Sequence, residues 1–518
     1  MSQTAWAERS LPLALVALAA LSSGCRKSDA ADKPLSGNTG EGPMEVPVPP
    51  ADGPKLYARR DGVAVVERPA AGARMIGELR TGAVVARSAD KYGKAGCDGG
   101  WYAVRPRGFV CAGDAATLEE AGGKGLPAPP RLDRALPYRY GRTRTESVVV
   151  YSRVPTAEEQ QVAEPDLMRW LPSRNESDSE PLGAAASDVP VDARLVPTGP
   201  PVLLPGGEGI DARGRRTALA FFTFPSDTFP AGATGKGDPK AGSVRKNSGV
   251  SLTASFLAPG PGGPRRFGVT PDGKLVPTDR LRPALGSTWH GMDIEKVGLP
   301  LAFVHKSEVV TWKLSKGKAT AQEEEVERRT AIPLTGKFRT VGGVRFEETR
   351  AGHWMRSQDL VVIVKRSKWP EFAVAQQKWV DVSLANQTMT LYEGRKPIYG
   401  TLVSSGRDQI GDPATTASTV RGSFRVRSKH ISRPLDSREV HQGFEVADAP
   451  WVMEFEQGYA LSGSYWNDPS GEASNFHNVT MSPVDARRMW AWADPQLPEG
   501  WHGVLDTGGA TTMVSVRP

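Results

Sequence analysis

At 518 residues the chain is too long for a single hydrophobic core, and its length suggests three or four units. Its 65 basic and 58 acidic side chains leave a net charge of +7, modest for this length. No run of Lys or Arg is dense enough for a phosphate backbone, which argues against nucleic acid as a partner. The 56 glycines and 43 prolines favour short strands joined by turns, so the expected fold class is mainly β and multidomain.

Arg9, an apolar segment over residues 11–21 and then Ser22-Ser23-Gly24-Cys25 have the form of a secretion signal. The apolar core is too short to span a bilayer as a permanent helix. Its small-small-Gly-Cys ending resembles the bacterial lipoprotein signal, with Ser22 where Leu is usual and Leu21 one place earlier. The resemblance implies a signal over residues 1–25, acylation at Cys25, and a lipid-anchored protein of the cell envelope facing the periplasm or exterior. An ordinary cleaved signal with an incidental cysteine is the alternative. Residues 26–54, rich in Pro, Gly, Asp and Ser, are expected to form a disordered linker.

Between residues 55 and 118, short apolar-alternating runs at 63–66, 75–79, 83–86, 101–104 and 109–111 are separated by glycine-rich turns. This predicts a small antiparallel barrel. The order Ile76-Gly77-Glu78-Leu79, Gly82, Gly100-Trp101 and Gly108-Phe109-Val110 resembles a bacterial SH3-like module. Cys97 and Cys111 flank its last hairpin, and in an exported protein a close pair of this kind points to a disulfide. Two buried thiols are the alternative.

Residues 119–300 predict an irregular β-rich region. Strands are expected at 147–154, 217–224, 249–257 and 267–277, and loops dense in Pro, Gly and Asp at 181–209 and 225–249. Trp289, His290 and Asp293 lie close together in sequence, but in a loop such residues are packing groups more often than ligands. Residues 301–366 alternate like a possible second SH3-like unit, with 323–329 expected as a solvated helical turn or loop. No cofactor motif and no metal-ligand spacing stands out anywhere in the chain.

The stretch 459–492 is the most informative. An aromatic strand leads through a polar turn into Asn478-Val479-Thr480-Met481, and a helix follows. Ser482 is its N-cap, Pro483 sits at N1 and Asp485 at N3. Upstream lie two strands near 379–384 and 388–392, a Ser404-Ser405-Gly406 step and the segment Thr419-Val420-Arg421-Gly422-Ser423-Phe424. Over residues 377–518 this order resembles the L,D-transpeptidase catalytic domain, a mostly β sandwich with a short helix that cross-links peptidoglycan through a cysteine acyl-enzyme. The resemblance implies that Ser462 stands at the outer histidine position. It also implies that Asn475, Phe476, His477 and Asn478 replace Ser, His, Gly and Cys.

The chemistry of those replacements carries the functional expectation. Thiol ester formation needs a thiolate and an imidazole to generate it. A carboxamide at Asn478 has no ionisable nucleophile, Phe476 relays no proton, and the three cysteines Cys25, Cys97 and Cys111 all lie far upstream. The catalytic set is therefore expected not to be intact, and the domain to bind peptidoglycan stem peptides or to regulate a wall-modifying enzyme. The alternative is an active transferase with a rearranged centre, His477 paired with a hydroxyl of Ser462, Ser464 or Ser474. Substituting Cys25→Ala is expected to move the protein from the membrane to the soluble fraction on cell fractionation. Undiminished membrane association of that variant would remove the anchor.

Overall fold

The computed structural model describes residues 46–123, 125–173, 181–191, 217–224, 237–435, 445–468 and 471–518. The signal segment, Cys25 and most of the expected linker lie outside them, as do large parts of the loops expected at 181–209 and 225–249.

Strands form where the N-terminal apolar alternation places them. Val63–Val66 pairs with Met75–Leu79, and Trp101–Ala103 with Phe109–Cys111. Lys55–Ala58 lies between Val84–Ala86 and Ala116–Thr117. Leu56, Val65, Ile76, Leu79, Val85 and Val110 fill the space between these two groups. Cys97 and Cys111 are joined as a disulfide, their Cα atoms 5.8 Å apart.

In the middle region, Arg139–Thr143 is flanked by Gly249–Leu252 and Leu281–Ala284. Beside it a five-stranded sheet contains Ser147–Tyr151. Two expectations fail here. Residues 217–224 carry the helical turn Ala218–Phe221 instead of a strand, because Phe221 and Phe222 are adjacent and both buried, which strand alternation forbids on a one-sided sheet. Within the loop expected at 225–249, Lys240–Arg245 is a strand on Ser147–Tyr151. The region also buries charge. Arg265 bonds Glu164 at 2.7 and 2.9 Å and Asp279 at 3.1 Å, while Arg280 bonds Glu164 at 2.9 Å. Their mutual pairing is the condition for removing four charged groups from water.

Residues 301–363 make one seven-stranded sheet. Here the expected helical turn at 323–329 is mostly strand. Lys318–Val326 pairs with Val309–Ser315 across a tight turn at Lys316 and Gly317, so cross-strand hydrogen bonding overrides the local charge pattern.

The C-terminal part is a two-sheet sandwich. One sheet contains Lys378–Ser383, Thr388–Glu393, Lys396–Leu402, Gly422–Arg425 and Met513–Arg517. The other contains Ser428–Leu435, Val446–Glu456, Tyr459–Gly463, Val479–Met481 and Gly503–Leu505. Val380, Val382, Leu391 and Val514 meet Met453, Leu461, Val479 and Met481 between the sheets. The helix Pro483–Trp492 closes the core with Ala486, Met489 and Trp490. It packs so near the sheet that a Cβ on Gly463 would sit 3.1 Å from Ala486 and Pro450.

The nine-stranded sheet does not end at the sandwich. Gly77 and Glu78 of the N-terminal barrel pair with Val504 and Gly503, and Trp501 and Val504 complete the barrel's core. The middle region docks as well, with Leu136, Tyr138 and Tyr140 packed against Val446, Ala449, Val452 and Val484. Residues 47–518 accordingly group as one compact unit. Two predictions follow from these shared cores. Residues 377–518 expressed alone should show no cooperative thermal transition, whereas the full chain should. Trp501→Ala should destabilise the full chain by about 3–5 kcal/mol in denaturant unfolding; an unchanged midpoint would show that the barrel stands by itself.

Candidate functional site

Tyr459–Gly463 and Val479–Met481 run parallel, with Leu461 opposite Val479 and Ser462 opposite Thr480. The loop between them returns the chain to the start of the second strand, so residues 474–478 must be held by contacts outside it. Two framework segments supply these, the Ser404-Ser405-Gly406 step and Thr419. Ser404 exchanges backbone hydrogen bonds with Thr480 at 2.8 and 2.9 Å. The Ser405 carbonyl accepts from the N–H groups of Ser474 (3.1 Å) and Asn475 (3.0 Å). The Thr419 hydroxyl donates to the His477 carbonyl at 2.8 Å. Gly406 is confined here for a steric reason: a Cβ would lie 2.1 Å from the Ala417 carbonyl and 2.7 Å from that of Phe476.

Asn475 and Asn478 serve this framework. Asn475 is buried and donates through Nδ2 to the Ser404 carbonyl (2.6 Å) and the Thr480 hydroxyl (2.8 Å). Asn478, 6% exposed, accepts the Ala460 N–H on Oδ1 at 2.9 Å. The carboxamide thus adds one rung to the parallel ladder, at the position where the resemblance places a nucleophile.

His477 is half-buried and lies between two rings, Tyr459 at 4.9 Å and Phe476 at 4.0 Å. Its Nε2 is 3.2 Å from the Thr416 carbonyl. A carbonyl only accepts, so Nε2 carries the proton and is committed as a donor. Ser462 is 1% exposed and its hydroxyl has no hydrogen-bond partner among the described residues. The Ser464 hydroxyl bonds the Asn467 side chain, and that of Ser474 bonds the Ser404 hydroxyl at 2.7 Å. None of these three hydroxyls is hydrogen-bonded to His477 among the described residues. The structure therefore brings Ser462, Asn475, Phe476, His477 and Asn478 to one turn without assembling a nucleophile–base pair from them.

The helix N-terminus is anchored by a group whose role the sequence hinted at only through its cap position. Ser482 caps the helix, its hydroxyl accepting the Asp485 N–H at 3.1 Å. The buried Asp485 carboxylate reaches away from the helix and accepts from Tyr399 (2.5 Å), Thr401 (2.6 Å), Ser482 (2.9 Å) and the Gly291 N–H (3.0 Å). Of the trio 289–293, Asp293 is ion-paired to Arg488 and Trp289 donates to the Arg329 carbonyl at 3.2 Å, which are packing roles. Arg328 and Arg329 pair with Glu472 (3.0 Å) and Asp468 (2.6 Å), tying the 301–363 sheet to the loop before the turn. Neither arginine was identifiable from the sequence, because both partners lie over a hundred residues away. Under the helix C-terminus, Lys429 donates to the Ala493 carbonyl at 2.5 Å, and burial lowers its ammonium to about 7.

Replacing Asn478 by Ala should cost about 1–3 kcal/mol in chemical denaturation, since the buried Ala460 N–H loses its acceptor. A change within error would show that the carboxamide has no structural role.

Residues 377–498 match the family model described as YkuD, L,D-transpeptidase catalytic domain. No curated protein matches the chain. Among solved structures, an L,D-transpeptidase from Xylanimonas cellulosilytica is 19% identical, with 29% of this chain and 65% of that chain covered and a TM-score of 0.21. One from Stackebrandtia nassauensis is also 19% identical, covering 30% and 62%, TM-score 0.21. The catalytic domain from the E. faecium enzyme is 19% identical, covering 27% and 98%, TM-score 0.21. The match thus spans less than two thirds of the first two relatives' own length.

Proposed function

Since residues 377–498 match the L,D-transpeptidase catalytic domain, we propose that the protein acts at the peptidoglycan wall as a non-catalytic member of that group, binding stem peptides or regulating a wall-modifying enzyme from a lipid anchor at Cys25. The observation that carries this reading is Asn478. It stands where the resemblance puts the nucleophile, is buried, and has its oxygen hydrogen-bonded to the Ala460 N–H. Two further features support it. The hydroxyls of Ser464 and Ser474 bond Asn467 and Ser404 and not His477, and the Ser462 hydroxyl beside the turn is closed off from solvent. In a transpeptidase with a rearranged centre, Nδ1 of His477, which carries the lone pair when Nε2 donates to Thr416, would have to reach a serine hydroxyl, and no such hydrogen bond is present among the described residues.

The test uses the full chain with ertapenem, the compound that acylates the catalytic domain of the E. faecium enzyme, and with purified muropeptides. Intact-mass spectrometry should show no covalent adduct and no cross-linked product, while calorimetry should show saturable muropeptide binding. Asn478→Cys alone should remain unreactive, because a thiol without its imidazole partner is not activated and the members of such a centre act together. Cross-linking by the unaltered protein that disappears in His477→Ala would overturn the reading in favour of the rearranged enzyme.

A further inference from the structure

A cavity of about 600 Å³ opens where the N-terminal barrel, the middle region and the C-terminal sandwich meet, and none of the turn residues 474–478 lines it. That volume suits a small organic molecule. One wall is apolar, formed by Val150, Val244, Val250, Pro271, Val276 and Pro434. The charged lining consists of four carboxylates, on Asp61, Glu78, Asp272 and Asp448, against the three cations Arg80, Lys274 and Arg433.

Most of these charges satisfy one another. Arg80 bonds Asp448 and the Ser432 hydroxyl (2.9 Å), with Asp61 at 3.3 Å from its Nε. Asp448 also accepts from the hydroxyls of Ser251 and Ser432, and Lys274 pairs with Asp272 at 2.8 Å. Glu78 differs. Its Oε1 is 2.9 Å from His430 Nδ1, while Oε2 has no hydrogen-bond partner among the described residues. Burial raises the Glu78 carboxyl, but the hydrogen bond with His430 and the surrounding His430, His502 and Arg80 side chains together outweigh it, so the group stays ionised.

His502 is the other imidazole of the cavity lining. It is 5% exposed and forms part of the cavity wall. Its Nε2 is 2.9 Å from the Ser432 carbonyl, so that nitrogen carries the proton and Nδ1 is left as a lone-pair acceptor. Nδ1 has no partner. Burial and the neighbouring Arg80 lower the imidazole to about 4, which keeps it neutral near pH 7. The same geometry excludes a serine nucleophile, since Ser432 faces an N–H of His502 and donates to Asp448. A metal is also disfavoured, as no group of three or more His, Cys, Asp or Glu among the described residues is arranged to hold one.

The cavity thus combines an apolar wall with one Glu78 carboxylate oxygen that has no hydrogen-bond partner among the described residues, while Arg80 and Lys274 are already paired. We propose that it binds an organic amine, the alkyl part lying on the valine and proline wall and the ammonium hydrogen-bonded to Glu78. This site is separate from the Asn478 turn and does not depend on the reading of that turn.

Hexylamine serves as the probe, with hexanoate and hexanol as controls of equal chain length, titrated calorimetrically into the full chain. Hexylamine should bind once per chain with a Kd on the order of 1 mM, and both controls at least about tenfold more weakly. Glu78→Gln should weaken hexylamine about tenfold and leave hexanol unchanged. If that variant fails to fold, the imidazole nitrogen resonances of His430 and His502 decide the matter in the unaltered protein. They should shift saturably with hexylamine and stay fixed with hexanoate. Equal binding of hexanoate and hexylamine, full affinity in a folded Glu78→Gln protein, or an absence of saturable shifts would each overturn the proposal.

Discussion

The pairing of Gly77 and Glu78 with Val504 and Gly503 is the constraint on which the rest of the architecture rests. It makes one sheet from strands at opposite ends of the chain. Trp501 enters the barrel core beside it, and its indole N–H reaches the Arg105 carbonyl at 2.9 Å. Each side supplies a surface that the other would leave exposed: apolar faces from Trp501 and Val504, and unpaired backbone groups along an edge strand. The join also carries Glu78 and Arg80 across to His430, Ser432 and Asp448, residues that face each other only because the two ends of the chain share a sheet.

A second cost is absorbed at the same place. Asp448 and Trp451 have φ of 51° and 58°, in the left-handed region that side chains other than glycine avoid. Both are held from several sides. Asp448 receives Arg80, Ser251 and Ser432 on its carboxylate and Tyr140 on its carbonyl, and Trp451 donates to the Ala135 carbonyl at 2.7 Å. The strand Val446–Glu456 is therefore kept in its irregular register by groups from the middle region and the barrel, and that strand in turn pairs with Tyr459–Gly463. The geometry of the Asn478 turn is thus supported by segments three hundred residues upstream.

The turn itself is held largely through its backbone. Ser404, Gly406 and Thr419 act through backbone contacts and close approach, which tolerate replacement of the residues they hold. Asn475 and Asn478 then satisfy buried backbone groups that a smaller or apolar side chain would leave unpaired. The result is a rigid, closed turn whose polar groups bond the protein itself.

Much of this was legible in the order of residues. Alternating apolar runs located the barrel strands and the sandwich strands, because a strand's side-chain period is local. Ser482, Pro483 and Asp485 marked the start of the helix, because capping is decided within one turn. The close pair Cys97 and Cys111 announced its bond, and the absence of a thiol at Asn478 is a matter of composition alone. What the residues could not convey was anything set by distant partners. Phe221 and Phe222 prefer a helical turn only because both of their sides are covered, and residues 318–326 become strand only because a hairpin partner takes their hydrogen bonds. The commitment of His477 to Thr416, the docking of Tyr140 against Tyr465 and the meeting of Glu78 with His430 and of Arg80 with Asp448 were likewise decided in three dimensions. Local periodicity records which face of a strand is apolar, but the identity of the group across the interface is fixed by packing between segments that the chain itself keeps far apart.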